Sequence, residues 1–459
     1  MKDKRKTKEE IRSSLTEMRE RNLLLSSALR TEGRVTDYAA LAFVDENGYT
    51  VWTEAFQKAI DENEIIRIDE GTYYVDKTLV IPSNRKIIAY GAHVKKVPEM
   101  NTMLLRNEHL RDGSYFKIDG SDEDENITIL GGTWEDTGTV RTFHHGLYDK
   151  ENSMVGVSAC MCFTNIRALN ISDVKIIRAG GFGIQVGNLT DAVIENVTFE
   201  KTVADGVHIN GNTKNVIVKN ISGSVGDDIV AFNMYDWFAS SVCFGPIENV
   251  VCENITLSLS GRYKAIRILP GKYFYKDESV SDCYIKDVII KNVRGVNTFK
   301  FYFQTPPYEI GGASERGESG NGDNLFIEDV ELDLYKPIDA FDEYLSGDGV
   351  LGTFAAFEFG SFFKRVELSD ITLKLYKDKF PTSYFASIGP KSIRRDGKEI
   401  FDPYINSSID ELVLKNIKVN GELVSSENCE KYIKEIVFDD IYGEGREKSF
   451  GKIEKIIFN

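Results

Sequence analysis

The stretch VIENVTFEKTVADGVHINGNTKNVIVKNISGSVGDDIVAFN runs from Val193 to Asn233 and holds one short pattern twice. In VIENVTFEK, Asn196 sits between alternating apolar positions, and in VIVKNISGS, Asn220 does the same 24 residues later. Alternation of this kind marks a strand, and a strand pattern that returns at an interval marks a repeat architecture. Further copies are ALNISDVKI, VVCENITLS, VIIKNVRGV, LFIEDVELD, VELSDITLK, LVLKNIKVN and IVFDDIYGE. Their marker residues are Asn170, Asn254, Asn292, Asp329, Asp370, Asn416 and Asp440. The nine markers are spaced by 26, 24, 34, 38, 37, 41, 46 and 24 residues, a minimum near 24 to which loops are added. One such coil cannot close a core alone, so neighbours must stack at about 4.8 Å. The expected fold is therefore all-β, a right-handed parallel β-helix over residues 64–459. Long insertions fall near 234–246, 304–323, 336–362 and 377–408, and loops of that length in a regular scaffold commonly bind.

Residues 1–63 form a separate helical segment and are the natural cap for the open end of the solenoid. Ile11, Leu15, Met18, Asn22, Leu25 and Leu29 step by three and four, a narrow apolar seam on a helix over residues 7–30. Such a seam suits either a coiled coil that sets a homo-oligomer or packing on its own domain, and the second reading is favoured. A second helix spans Trp52 to Ile60.

The chain has 459 residues, 42% of them hydrophobic, and a formal charge of −16. That acidity argues against nucleic acid and anionic membranes as partners. No run approaches the roughly 18 apolar residues of a membrane span. The charged start, MKDKRKTKEE, lacks an apolar stretch, so a soluble, cytoplasmic protein is expected, or a secreted one if a leader has been removed. Six cysteines include no CxxC pair, so they are read as buried thiols rather than a zinc site. Asn126, Asn170, Asn188, Asn196, Asn220, Asn254 and Asn406 lie in N-x-[ST] triplets; several are coil markers, and glycosylation is not expected.

The quoted stretch also holds Asp205, Asp227 and Asp228. Aligning FGIQV (182–186), DGVHI (205–209), DDIVA (227–231) and KAIRI (264–268) makes Phe182, Asp205, Asp227 and Lys264 one column. Gln185, His208, Val230 and Arg267 make another. Stacked like charges raise each other's pKa, and a purely structural ladder would use Asn or Thr. Gly206 is read as leaving open space beside the acids.

At these residues the chain resembles glycoside hydrolase family 28, the polygalacturonase-like enzymes. TVADGVHI resembles the family's N-T-D-G turn and SVGDDIVAF its G-D-D turn, one coil apart, and GGTWE (131–135) is similar to its Gly-Gly-x-Trp turn. The specific resemblance covers roughly residues 126–270. It implies a parallel β-helix that hydrolyses glycosidic bonds with inversion and without a cofactor or metal. Asp227 would be the general acid, Asp205 and Asp228 would hold the attacking water, and Arg267 would anchor the sugar. Two features depart from the family: its G-H-G histidine is absent, and Leu269 stands where AIRIL would carry the family's lysine. A neutral or differently placed acidic sugar is then expected, with exo action on short glycans.

Further substrate contacts are assigned to His208, Gln185, Lys264, Trp134, Tyr235, Asp236, Trp237 and His145. Three alternatives stay open. One is a polysaccharide lyase using Ca²⁺ and Arg267. Another is a β-helix glycosidase acting on lacto-N-biose units or fructans. The third is a tail-fibre-like protein that binds glycans without cutting them.

Overall fold

The computed structural model describes residues 5–98, 100, 102–110, 123–138, 159–235, 241–258, 265–274, 279–296, 298–302, 318–334, 354–379, 381–389, 392–395, 398–401, 407–436 and 451–459. Successive coils pair in parallel and build three strand columns around one apolar core, a right-handed parallel β-helix. One column, the site wall, contains Leu105–Asn107, the start of Phe182–Thr202, Val207–Asn210, Val230–Asn233, Ala265–Ile268, Thr298–Tyr302, Phe354–Gly360 and Ser383–Ile388.

The markers explain how the coil turns. Asn196, Asn220, Asn254, Asn292, Asp329, Asp370 and Asn416 have φ between 50° and 60°, a left-handed conformation that Asn and Asp tolerate better than most residues. Their side chains also form a ladder. Asn196 donates to Asp173 at 2.8 Å, Asn220 to Asn196 at 2.7 Å, Asn254 to Asn220 at 2.8 Å and Asn292 to Asn254 at 2.8 Å. The ladder's first member is Asp173, not Asn170, which lies in a strand opposite Val193. Asp440 lies outside the described residues.

Helix α1 (Lys8–Ser27) does not cap the end of the solenoid. It lies along the flank, with Ile11, Leu15 and Met18 buried on an outward apolar row of Val193, Ile217, Val251, Ile289 and Phe326. These five residues are register partners in successive coils. The polar member of the seam, Asn22, meets Asn170 at 3.3 Å. Two positions along, Glu195, Lys219, Glu253, Lys291 and Glu328 form a row of alternating charge. Arg19, Arg12 and Lys8 of α1 pair with its glutamates. The seam is thus used within the chain. Helix α2 (Thr53–Glu62) holds the end position, where Phe56, Ala59 and Ile60 join the main core.

Candidate active site

The site wall owes its geometry to strands whose inward residues are fixed by the core. Val207 and Ile209 point inward, as do Val230 and Phe232, Ile266 and Ile268, and Phe299 and Phe301. The residues between them, His208, Ala231, Arg267 and Lys300, therefore face outward on one line. Gln185 precedes them, opposite His208.

This register corrects the sequence alignment by one residue. Val207 pairs with Val230 and His208 with Ala231, so the direct neighbour of Asp205 is Asp228, not Asp227. The amide of Gly206 donates to the carbonyl of Asp228 at 2.9 Å, as that register requires. Gly206 leaves no open space either. A Cβ there would lie 2.6 Å from the carbonyl oxygen of Ile229 and 2.9 Å from the Phe199 ring. The glycine allows close packing of the coil, and the room for a ligand must lie elsewhere.

Asp205, Asp227 and Asp228 are 1%, 3% and 1% exposed, and each offers an oxygen within 4.8 Å of the others. Asp205 is held on both oxygens: Oδ1 accepts the amide of Asp228 at 3.1 Å, and Oδ2 lies 2.6 Å from His208 Nδ1. Both side-chain amides of Asn210 and Asn233 approach His208 Nε2 at 3.3 Å. An ionised Asp205 can only accept, so its contact with the ring places a proton on His208 Nδ1, from which the ring donates to Asp205. Phe182 stacks on the imidazole with centroids 3.9 Å apart.

Arg267 spans the other two acids. Its Nη2 donates to Asp227 Oδ1 at 3.0 Å, while Nε forms an ion pair with Asp228 Oδ2 at 2.5 Å, off the direction of a good hydrogen bond. Asp227 therefore meets the outer end of the guanidinium and Asp228 its inner end. Burial is the main force on Asp228 and pushes its carboxyl well above the usual range. Arg267 opposes that rise, the charges of Asp227 and Asp205 add to it, and Lys300 opposes it more weakly. Such a trio titrates as one group and retains a proton well above the pH at which an isolated carboxyl would lose it.

The trio has the donor chemistry of a small cation site, but Arg267 already lies against two of its three acids. A calcium ion seeks six to eight oxygens and would meet a positive charge here. The arrangement fits proton transfer better than cation binding.

Other expected contacts lie elsewhere. Trp134 is fully buried in the core and donates its indole N–H to the carbonyl of Gly131 at 3.1 Å, so no face remains for a sugar. Tyr235 is 1% exposed and packs near Phe244 and Tyr273, also inside the core. Gln185 is buried and donates to Asn210 at 3.0 Å, which makes it a brace for the histidine network. Asp236, Trp237, His145 and Lys264 lie outside the described residues. Sequence reasoning missed Asn210, Asn233 and Lys300. The clue for Lys300 was present: Phe299-Lys300-Phe301 repeats the pattern of Ile266-Arg267-Ile268, a cation between two inward apolar residues.

No family model matches the sequence, and no curated protein does. Solved structures with a similar course include a hyperthermoactive exopolygalacturonase from Thermotoga maritima, at 12% identity and a TM-score of 0.49. That match covers 97% of this chain and 96% of the other. A family 28 exopolygalacturonase from Yersinia enterocolitica matches at 13% identity and a TM-score of 0.43, covering 93% and 78%. The tailspike protein of E. coli bacteriophage HK620, as a mutant, matches at 9% identity and a TM-score of 0.49, covering 84% of this chain and 61% of that one.

Proposed function

We infer that the protein is a glycoside hydrolase that cleaves short glycans by proton transfer within the trio of Asp205, Asp227 and Asp228. The observation that carries this reading is the burial of three adjacent carboxyls around a single guanidinium. Such crowding works against stability and supplies what glycosidic cleavage needs: one carboxyl that keeps a proton and one that stays ionised.

The hydrogen bonds support an assignment of roles. Asp205 accepts from an amide and from His208, which favours its ionised form and suits it to hold water. Asp228 is its partner one coil on and is the innermost acid. Asp227 meets the outer end of Arg267, the position from which a proton can reach a glycosidic oxygen, and we assign it the general acid. The proton that burial holds on the Asp227–Asp228 pair passes through Asp227 to the leaving oxygen, while Asp205 takes a proton from the attacking water. Arg267, at 14% side-chain exposure the most open member of the group, is placed to meet a sugar hydroxyl or acid.

One observation favours a second stereochemical course. One oxygen of each acid lies within 4.8 Å of one oxygen of the other two, so the trio has no opposed pair at the roughly 6.5–9.5 Å of inverting enzymes. In the inverting reading, water enters beside the trio rather than between two opposed acids. Retention would need one aspartate as nucleophile.

The role of Asp227 is tested by leaving-group chemistry. Asp227→Asn should lose natural oligosaccharide cleavage yet retain most of its rate on an aryl glycoside whose leaving group needs no proton. Asp228→Asn should lose both. Equal loss on both substrates in Asp227→Asn would remove it as the general acid.

A further inference from the structure

Beyond Arg267, the outward line of the site wall continues into a second charged pair. Arg267 is opposite Lys300, and Lys300 is opposite Glu358. Lys300 cannot swing inward. Its neighbours Phe299 and Phe301 are fully buried and stack on Phe357 and Phe359 in the next coil, at 5.0 and 4.5 Å between centroids. The lysine is only 4% exposed, and its Nζ lies 3.6 Å from Glu358 Oε2. A buried ammonium costs several kcal/mol unless other charges compensate. Glu358, with a quarter of its side chain exposed, is one such charge at a long contact. Toward the preceding coils, beyond Arg267, Lys300 acts on Asp228 and favours its ionised form.

We propose that Lys300 is a positioning residue of the site, the second counter-charge of the carboxylate trio, with Glu358 holding it one coil beyond Arg267. Among the described residues, the charges that act on Asp228 are Asp205 from the preceding coil, Asp227 from its own turn, Arg267 from the next coil and Lys300 from the one after. Glu358 stands behind Lys300. Among the described residues, two cations face three acids; they leave the trio ionised enough to keep a base, while burial keeps one proton for the acid. The lysine occupies the same line as Arg267 but arises 33 residues later, so it is not the residue displaced by Leu269.

The catalytic consequence rests on the hydrolase reading, but the electrostatic one does not. Asp side-chain carboxyl carbons, labelled with ¹³C in the full-length protein, can be titrated by NMR without substrate, with Asp228→Asn assigning the resonance. Lys300→Met should move the Asp228 midpoint upward by about one pH unit, and Lys300→Arg should hold it within a few tenths. Glu358→Gln removes a negative charge 3.6 Å from the ammonium and should move the midpoint downward. Where wild type turns over a glycan, the alkaline limb of kcat/KM should shift in the same directions. A midpoint unmoved in both Lys300→Met and Glu358→Gln, or moved the same way in both, overturns the proposal. If Lys300→Met fails to fold, the sign of the Glu358→Gln shift decides alone. Absence of glycan turnover in wild type would count against the hydrolase reading and leave this titration intact.

Discussion

Two outward faces of the same solenoid use charge in opposite ways. On the flank under α1, a row of Glu195, Lys219, Glu253, Lys291 and Glu328 alternates in sign, and the helix adds Arg19, Arg12 and Lys8 opposite the glutamates. Beside that row runs an apolar strip covered by Ile11, Leu15 and Met18. On the site wall, three acids of one sign are buried together, and Arg267 and Lys300 offset them only in part. The flank is what a chain builds when stability alone is at stake. The wall accepts like-charge repulsion and desolvation, the concentration of unfavourable energy on which the proposed site rests.

The contrast predicts opposite responses to substitution. The largest effect is expected at the wall: Asp227→Asn should lower kcat on an unactivated glycan by about a thousandfold, the range of lost general acid catalysis, with the melting temperature equal or higher. Steady-state kinetics and a thermal melt on the same sample check both halves. Next comes the flank. Leu15→Ala removes a side chain that is 1% exposed and should destabilise the fold by about 2–4 kcal/mol, measured by urea unfolding, with kcat of the folded fraction unchanged.

A smaller effect concerns pH. An unfolded aspartate titrates near 3.9, and burial lifts Asp228 well above that. A raised native value means that the stabilising contribution is full at acid pH and fades as pH climbs toward the native midpoint. Asp228→Asn cannot ionise, so its stability relative to wild type should rise as pH climbs from 4 to 8. Unfolding curves at the two pH values would show it; a falling difference would contradict the burial argument. The smallest effect belongs to the alternating row. Arg19→Ala breaks a half-exposed ion pair with Glu195 and should cost under about 1 kcal/mol, diminishing with added salt.

Much of this was legible in the sequence. Most coil markers could be read because a left-handed corner selects Asn and Asp, and because Asn220, Asn254 and Asn292 each bond to the marker one coil before. The seam of α1 was legible as a periodic apolar line, but not its place along the flank, which depends on Val193, Ile217, Val251, Ile289 and Phe326 aligning from distant segments. The three acids were found, but their register was not. Matching Asp205 to Asp227 rewarded a repeated acid and would have pointed Ala231 inward beside Ile209. The fold instead pairs Val207 with Val230 and Ile209 with Phe232, keeping large side chains in the core. A shift of one residue exchanges the two faces of a strand, so core packing outweighs a resemblance between turns. Trp134 shows the same logic: an aromatic beside a glycine turn fills the core before it serves a ligand. Lys300 escaped notice because insertions of varying length separate the coils and hide which residues share a line.

The most direct test of the central claim is proton NMR of the anomeric signals during the first minutes of glycan cleavage by wild-type protein, with Asp227→Asn beside it. The account predicts a first-formed product of inverted configuration from wild type, and from the variant a bound glycan with no new anomeric signal. Retained configuration would overturn the assigned roles of the trio, and equal product from both proteins would contradict catalysis by Asp227 altogether.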